Sequence, residues 1–552
     1  MARLLLIATS AILALLVLAP LGAVVVEAMG SPHGTGTNFF HVFASTDFRV
    51  AFFTTWKLAV AVCMLSLMLG TAVALWMDAA PPPAAGLFDA LIVAPFLLPP
   101  YLSAVAWTLV AGPTGLLAQI GLPGSALAGY LYTLTGIAAV MALHLYPLVY
   151  TMVRAALLRT PRTLALAARV HGARPMHAWR VGVLPSLLPA LAGAGLIVLL
   201  AGAEEFGIPA VLGGFSGIHV LSTQLAGAVD VWPVDLPRAA EIGLTMCLAG
   251  IFGWLVYRLF SLPAQDVSIA LPSRHRWASL PLLVLFVGLG FGLPLAAILA
   301  VSFERAITQG VHAGNLTLAH YAHVLHWGAS GWGALMTSVT LSIIAALGGM
   351  LCALAAAKIV QGRGRAARPV DMLATIPAAI PGVVLAVGLI LFWNAPGNPM
   401  PIYGHPAILA FAYATVTFPY AYRYANAGLA RITAPVTNAA RVHGAGPMGL
   451  LLRVHLPLAW PMLVSGATVI FALSMRELVT SILLQPPGVQ VVSTYVFNQF
   501  MQGNVGDGMA MSAVGVLTTT ALLALARVNW AATRSRAEDH GYGEGRVAPQ
   551  GA

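Results

Sequence analysis

The sequence predicts an all-α polytopic membrane protein of about 12 transmembrane helices, arranged as two parallel six-helix repeats. Three observations predict it. The 552 residues are 59% hydrophobic and 8% charged, where soluble domains carry about 25% charged residues, and the mean hydropathy is +0.88. Twelve apolar segments are each long enough for the roughly 20 residues that a bilayer crossing needs. One ten-residue stretch occurs twice: Ala167–Met176 returns as Ala439–Met448, 272 residues later, with only Arg174 against Gly446 different. A repeat of half a chain signals a duplicated architecture.

The apolar segments fall at 4–28, 52–77, 87–111, 127–153, 187–212 and 239–262, then at 278–303, 332–359, 370–393, 405–427, 459–484 and 506–531. The first resembles a signal peptide, but it runs on to Val26 without a small-residue cleavage site and reads as a retained span. Charge sets the orientation. Loop 154–186 carries Arg154, Arg159, Arg162, Arg169, Arg174 and Arg180; loop 360–369 carries Arg363, Arg365 and Arg368; loop 428–458 carries Arg431, Arg441 and Arg453. The opposite loops are nearly bare, so the Arg-rich loops and both termini are expected on the cytoplasmic side of a bacterial inner membrane. Loop 78–86 is inside without Lys or Arg and is outvoted. The net charge of +10 follows from this bias and gives no reason to invoke nucleic acid.

Six spans per half is an even number, so both halves face the same way, related by an axis along the membrane normal. The halves are expected at 1–263 and 264–552, fused through a linker with Pro263 and Pro272, and a disordered polar tail is expected from about 533. Cys63, Cys247 and Cys352 lie in apolar segments without pairing or metal spacing and read as small buried residues. Prolines recur in the third and ninth spans: Pro95, Pro99 and Pro100, then Pro377 and Pro381. Breakers inside spans are tolerated where neighbours or water re-satisfy the backbone. The paired irregularity points to a pore-lining role, against simple kinks.

The repeated loop reads as helix–turn–helix. Thr160–Val170 and Thr433–Val442 are short helices with Pro161 and Pro435 near their starts. Gly172 and Gly444 stand where a terminating glycine belongs. Pro175 and Pro447 open a second helix, and Pro185 and Pro457 enter the next span. Such an element between spans is built to dock on another protein, with His171 and His443 as surface contacts. The alternative is an inert basic loop.

Glu204 and Glu205 in the fifth span match Arg476 and Glu477 in the eleventh, at the repeat spacing. A charge at a helix centre costs about 2.5–3.5 kcal/mol on insertion scales, so these are candidate substrate-pathway residues. Glu205 lies 20 residues past Pro185, about 30 Å along a helix at 1.5 Å per residue, and is expected near the outer side. One reading is an outer mouth attracting cations; the other is an ion pair such as Glu204 with Arg476, or a backbone cap. His320, His323 and His326 share a helical face in an outer loop. They read as an interfacial amphipathic helix rather than a metal site.

Here the chain resembles the permease subunits of binding-protein-dependent ABC importers, whose docking loop has the form E-A-A-three-G-nine-I-x-L-P. The match is Ala167, Ala168, Gly172, Leu184 and Pro185, and again Ala439, Ala440, Gly444, Leu456 and Pro457. Arg169, Pro175, Arg441 and Pro447 belong to the same two elements. The Glu position is Leu166 in one copy and Asn438 in the other; the Ile position is Gly182 and Val454. Fusion of two halves, with Glu205–Gly213 and, in the second half, Arg476–Leu478 with Ile482–Gly488, is similar to ferric-iron-type importers; thiamine, aminophosphonate and polyamine permeases are near relatives. The resemblance implies a type I importer fold, alternating access, and cargo delivered by a periplasmic or secreted substrate-binding protein. It also implies two P-loop ATPase subunits, one on each loop, holding ATP and Mg, with the cofactor absent from this chain. In keeping with that, Lys57 is followed by Leu and Lys358 by Ile, so the Gly-Lys-Ser/Thr of a P-loop does not occur. The sequence also offers no paired carboxylates, nucleophile elbow or metal-ligand cluster for catalysis. The competing class is an ion-coupled secondary transporter, which also reaches six plus six parallel spans but needs no matched docking element.

Overall fold

The computed structural model describes residues 2–30, 42–122, 124–159, 163–260, 280–362, 364–398 and 402–541. Apart from an isolated bridge between Glu304 and Leu316, the described residues form helices and turns only. Ten helices are long and apolar enough to cross a membrane, eleven with one bent pair. The described parts of the twelve apolar segments lie on helices or at the short breaks between them.

The first repeat runs α1 (Leu6–Met29), α2 (Thr46–Ala79), α3 (Ala85–Val93), α4 (Pro100–Ala111), α5 (Leu134–Arg159), α6 (Thr163–Val170), α7 (Pro175–Gly182), α8 (Leu184–Glu204), α9 (Leu221–Asp230) and α10 (Leu236–Phe260). The second runs α11 (Leu280–Phe303), α12 (Ser330–Gln361), α13 (Ala367–Thr375), α14 (Gly382–Trp393), α15 (Ala407–Ala430), α16 (Ala434–Val442), α17 (Pro447–Leu450), α18 (Leu456–Met475), α19 (Val492–Met501) and α20 (Val505–Gly541).

The duplication holds at the level of single hydrogen bonds. Thr55 Oγ1 accepts from the Leu221 amide at 2.9 Å, and Ser338 Oγ accepts from the Val492 amide at 2.7 Å. Tyr150 donates to Asp89 as Tyr422 donates to Asp371. Arg154 pairs with Asp78 at 3.5 Å; at the matching place Gln361 donates to Asn426, so an ion pair has become a neutral amide contact. In each half the second span packs on the fourth and fifth, α2 on α5 and α8, α12 on α15 and α18. The halves exchange their first spans. Helix α1 packs on α14 of the other half, and α11 packs on α4. The core therefore runs continuously through both repeats, with Tyr146, Tyr150, Tyr413 and Phe418 fully buried in it.

Three expectations are corrected. The fifth and eleventh spans, expected to reach 212 and 484, stop at Glu204 and Met475. The acidic side chains turn back onto the backbone there, and Pro209 forbids a continuous helix. The third span is two helices in both halves, a break rather than a kink: α13 and α14 with their linking turn meet at 112°. The tail expected to be disordered from 533 is helical to Gly541, since Ala531–Glu538 is rich in helix formers. The tenth span, α15, carries Thr415, Thr417, Tyr420 and Arg423, too polar for the apolar count although it is 24 residues long. The fusion linker, Pro161, Arg162 and the chain after 541 lie outside the described residues.

Close backbone approach needs glycine at the helix that flanks the second-half break. A Cβ on Gly250 of α10 would stand 2.0 Å from the Ala379 carbonyl oxygen, a contact that backbone cannot relieve cheaply. Gly250→Val is expected to cost about 3 kcal/mol, the upper end for overpacking, whereas Gly348→Ala on α12, with nothing within 4 Å of its Cβ, is neutral or mildly stabilising. Thermal unfolding of the two purified variants in detergent checks this.

Candidate functional site

The repeated loops are built alike. In the first, α6 ends where the Gly172 amide donates to the Arg169 carbonyl at 3.0 Å and the Ala173 amide to the Ala168 carbonyl at 3.0 Å. In the second, Gly444 donates to Arg441 at 3.0 Å and Ala445 to Ala440 at 3.0 Å. This pair of bonds is a Schellman termination, which requires a left-handed residue. Gly172 has φ +85° and Gly444 φ +79°. The alanines let the last turn tighten, and Pro175 and Pro447 start the next helices at their first positions. Pro185 and Pro457 sit in the first turns of α8 and α18, which begin at Leu184 and Leu456. Val170 and Val442 project into solvent at 84% and 85% exposure, unpartnered apolar handles beside the exposed Arg169 and Arg441.

The second loop carries a tether that the repeat pattern concealed. His455 contacts Lys358 Nζ of α12 through Nδ1 and Thr437 Oγ1 of α16 through Nε2 at 3.2 Å. It thereby joins the loop to a span. Its counterpart is Val183, so the first loop lacks this link.

The four span charges separate into two roles. Glu205 Oε1 accepts the Gly207 amide at 2.9 Å, and its carbonyl accepts the Ser222 hydroxyl at 2.7 Å. Glu477 Oε1 accepts the Thr480 amide at 3.1 Å, and its carbonyl accepts Ser493 at 2.6 Å. Both are backbone caps, and the sequence had offered that reading. Glu204 and Arg476 are different. Among the described residues no ion pair joins them, which corrects the pairing suggested from sequence. Arg476 instead donates to the carbonyl of Phe96, in the broken third span of the other half, and lies in the field of Tyr420, Glu477 and Glu205.

Glu204 holds the position equivalent to Arg476 in the repeat and lines a cavity together with Ala378, Ala379 and Pro381 of the other break. A carboxylate cannot donate to a carbonyl, so it does not cover that break. It opens instead onto a cavity of about 360 Å³ shared by both halves. The cavity's polar lining includes Thr55, Thr245, Tyr420 and Arg423, and its aromatic lining includes Trp56 and Trp254. The equivalent space around Arg476, between Pro99, Val492 and Val516, is about 20 Å³. Sequence reasoning missed Tyr420 and Arg423; their only signal was an arginine inside an apolar segment.

At the opposite face, His320 and His323 of the short helix Ala319–Leu325 each bond Asp507 of α20 through Nδ1 at 2.7 Å. His326 is the residue after that helix and stands exposed. Among the described residues no group of three His, Cys, Asp or Glu side chains could hold a metal ion. Nearby, Gln119 donates to Glu304 at 3.3 Å, linking the halves, and burial pushes the Glu304 carboxyl above its ordinary range.

Residues 345–530 match the family model described as "binding-protein-dependent transport system inner membrane component". The putative 2-aminoethylphosphonate transport system permease protein PhnV of Salmonella paratyphi A is 32% identical over 241 residues, covering 44% of this chain and 89% of the relative. A ferric transport system permease protein, FbpB, of Actinobacillus pleuropneumoniae is 24% identical over 446 residues, 78% of this chain and 64% of the relative. A probable ABC transporter permease protein of Sinorhizobium fredii is 30% identical over 336 residues, 57% of this chain and 58% of the relative.

Replacing Arg476 by Met leaves the Phe96 carbonyl without a donor. The expected cost is about 1–3 kcal/mol, the penalty for an unsatisfied buried polar group, with Arg476→Lys intermediate; the midpoints of thermal unfolding measure it.

Proposed function

The chain belongs to the binding-protein-dependent ABC transporter permeases, and on that premise we propose that it supplies both permease halves, 1–263 and 264–552, of one importer. The reading rests on the two Schellman-terminated loops, which repeat to the hydrogen bond and each carry an exposed valine. Two P-loop ATPase subunits, which hold the ATP and Mg that this chain does not bind, dock on them from the cytoplasmic side. The contacts on the first loop are Ala167, Ala168, Arg169, Gly172 and Pro175, leading into Leu184 and Pro185. On the second they are Ala439, Ala440, Arg441, Gly444 and Pro447, leading into Leu456 and Pro457. Rigid helical termini transmit a push better than flexible loops, and each loop runs almost directly into a span, α8 or α18, that ends at a cavity-facing or break-filling charge. Closure of the ATPases would so move Glu204 and Arg476 relative to the third-span breaks. Cargo comes from a soluble binding protein on the outer side. Ferric iron, expected from the sequence, and an aminophosphonate are the two cargoes that the names of its relatives support.

The test is Gly172→Val with Gly444→Val, in the chain co-expressed with an ATPase encoded beside it and reconstituted in proteoliposomes. A β-branched residue at φ near +80° is strongly disfavoured, and in water the loops can refold locally without unfolding the spans. Cargo-stimulated ATP hydrolysis is expected to fall at least tenfold. Uptake driven by an ion gradient, indifferent to both substitutions and to ATP, would overturn the proposal.

A further inference from the structure

The two breaks are filled differently, and this asymmetry defines a one-sided cargo site. Where the second half offers Arg476, the first offers Glu204; where one space measures about 20 Å³ the other measures about 360 Å³. The larger value lies in the range of small-molecule sites. Its lining on α10 extends from Thr245 to Tyr257, about 18 Å along the helix at 1.5 Å per residue. That is a path rather than a dimple. Two opposite charges face it, Glu204 and Arg423, both on exposed surface. Tyr420 lines the same cavity as both, and its phenol lies in the field of Glu204 and Arg423 as well as of Arg476 and Glu477. Among the described residues neither makes an ion pair.

We propose that this cavity binds a small organic zwitterion, its ammonium directed to Glu204 and its acid group to Arg423. The inference rests on the importer reading above and narrows its cargo. An ammonium gains from the carboxylate and from the aromatic faces of Trp56 and Trp254, which attract cations at close range. A planar guanidinium matches the oxygens of a carboxylate or phosphonate in two-point contact. A bare trivalent metal fits less well: hard cations take about six to eight oxygen ligands, and the cavity presents one carboxylate beside a repelling guanidinium. Arg476 keeps the opposite side closed, so cargo has one seat instead of two.

The full chain in lipid nanodiscs, titrated with 2-aminoethylphosphonate and followed by tryptophan fluorescence, tests this. Trp56→Phe and Trp254→Phe assign the signal to the cavity. A saturable response is expected, at least tenfold tighter than for ethylphosphonate or ethylamine. Glu204→Gln should weaken the zwitterion at least tenfold and leave ethylphosphonate unchanged; Arg423→Gln should weaken it likewise and leave ethylamine unchanged. Glu204→Asp should restore part of the loss, which a folding defect would not. The absence of a saturable response, equal binding of the three compounds, or a ferric complex that displaces the zwitterion would overturn the proposal. The readout needs no ATPase, so failure of loop docking would leave it intact, and failure here would leave docking intact.

Discussion

A helix that stops inside a membrane strands carbonyls and amides where water cannot reach them, and the cost recurs for every group left unpaired. This chain stops a helix there twice in each half, at the third span and at the fifth of the repeat. Much of its architecture answers that cost. Glu205 and Glu477 cap the amides that follow the shortened spans. Serines from α9 and α19 bond the carbonyls of those same glutamates. Glycine at 250 lets α10 lie against the backbone of one break. Arg476 reaches the carbonyl exposed at the other.

Duplication gives two equivalent answers, and the departures from equivalence carry the functional information. The ion pair Arg154–Asp78 is matched by the amide pair Gln361–Asn426, a change of charge with no change of place. Val183 against His455 ties one loop to a span and not the other. Glu204 stands where the repeat has Arg476, which donates to a carbonyl, and the adjoining spaces differ, about 360 Å³ against about 20 Å³. A homodimer of one half could not make this last distinction. Fusion of two halves into one chain permits it.

Fold class, span count and the repeated loop were legible because they depend on composition, on segment length and on glycines whose φ is dictated by local geometry. Gly172 and Gly444 could be placed at their turn from neighbouring residues alone. The ends of the fifth and eleventh spans were not legible. Leu, Ile and Val continue past Glu205 and Glu477, and apolar content does not reveal that a carboxylate has folded back on the next amides. The exchange of first spans between halves was equally hidden, since packing partners so far apart in the chain leave no local pattern. Tyr420 and Arg423 have no spacing or motif that sets them apart within their span. Their importance comes from where α15 meets the first half. His320 and His323 were visible as a helical pair, but Asp507, which holds both, lies on another helix.

The account makes one chain the whole membrane unit of an importer, with each half presenting its own proposed docking loop. The native mass of the complex purified with its ATPase tests that most directly. One copy of this chain with two ATPase subunits is the predicted composition. Two copies of the chain around a shared ATPase pair, so that only one loop of each is engaged, would contradict it.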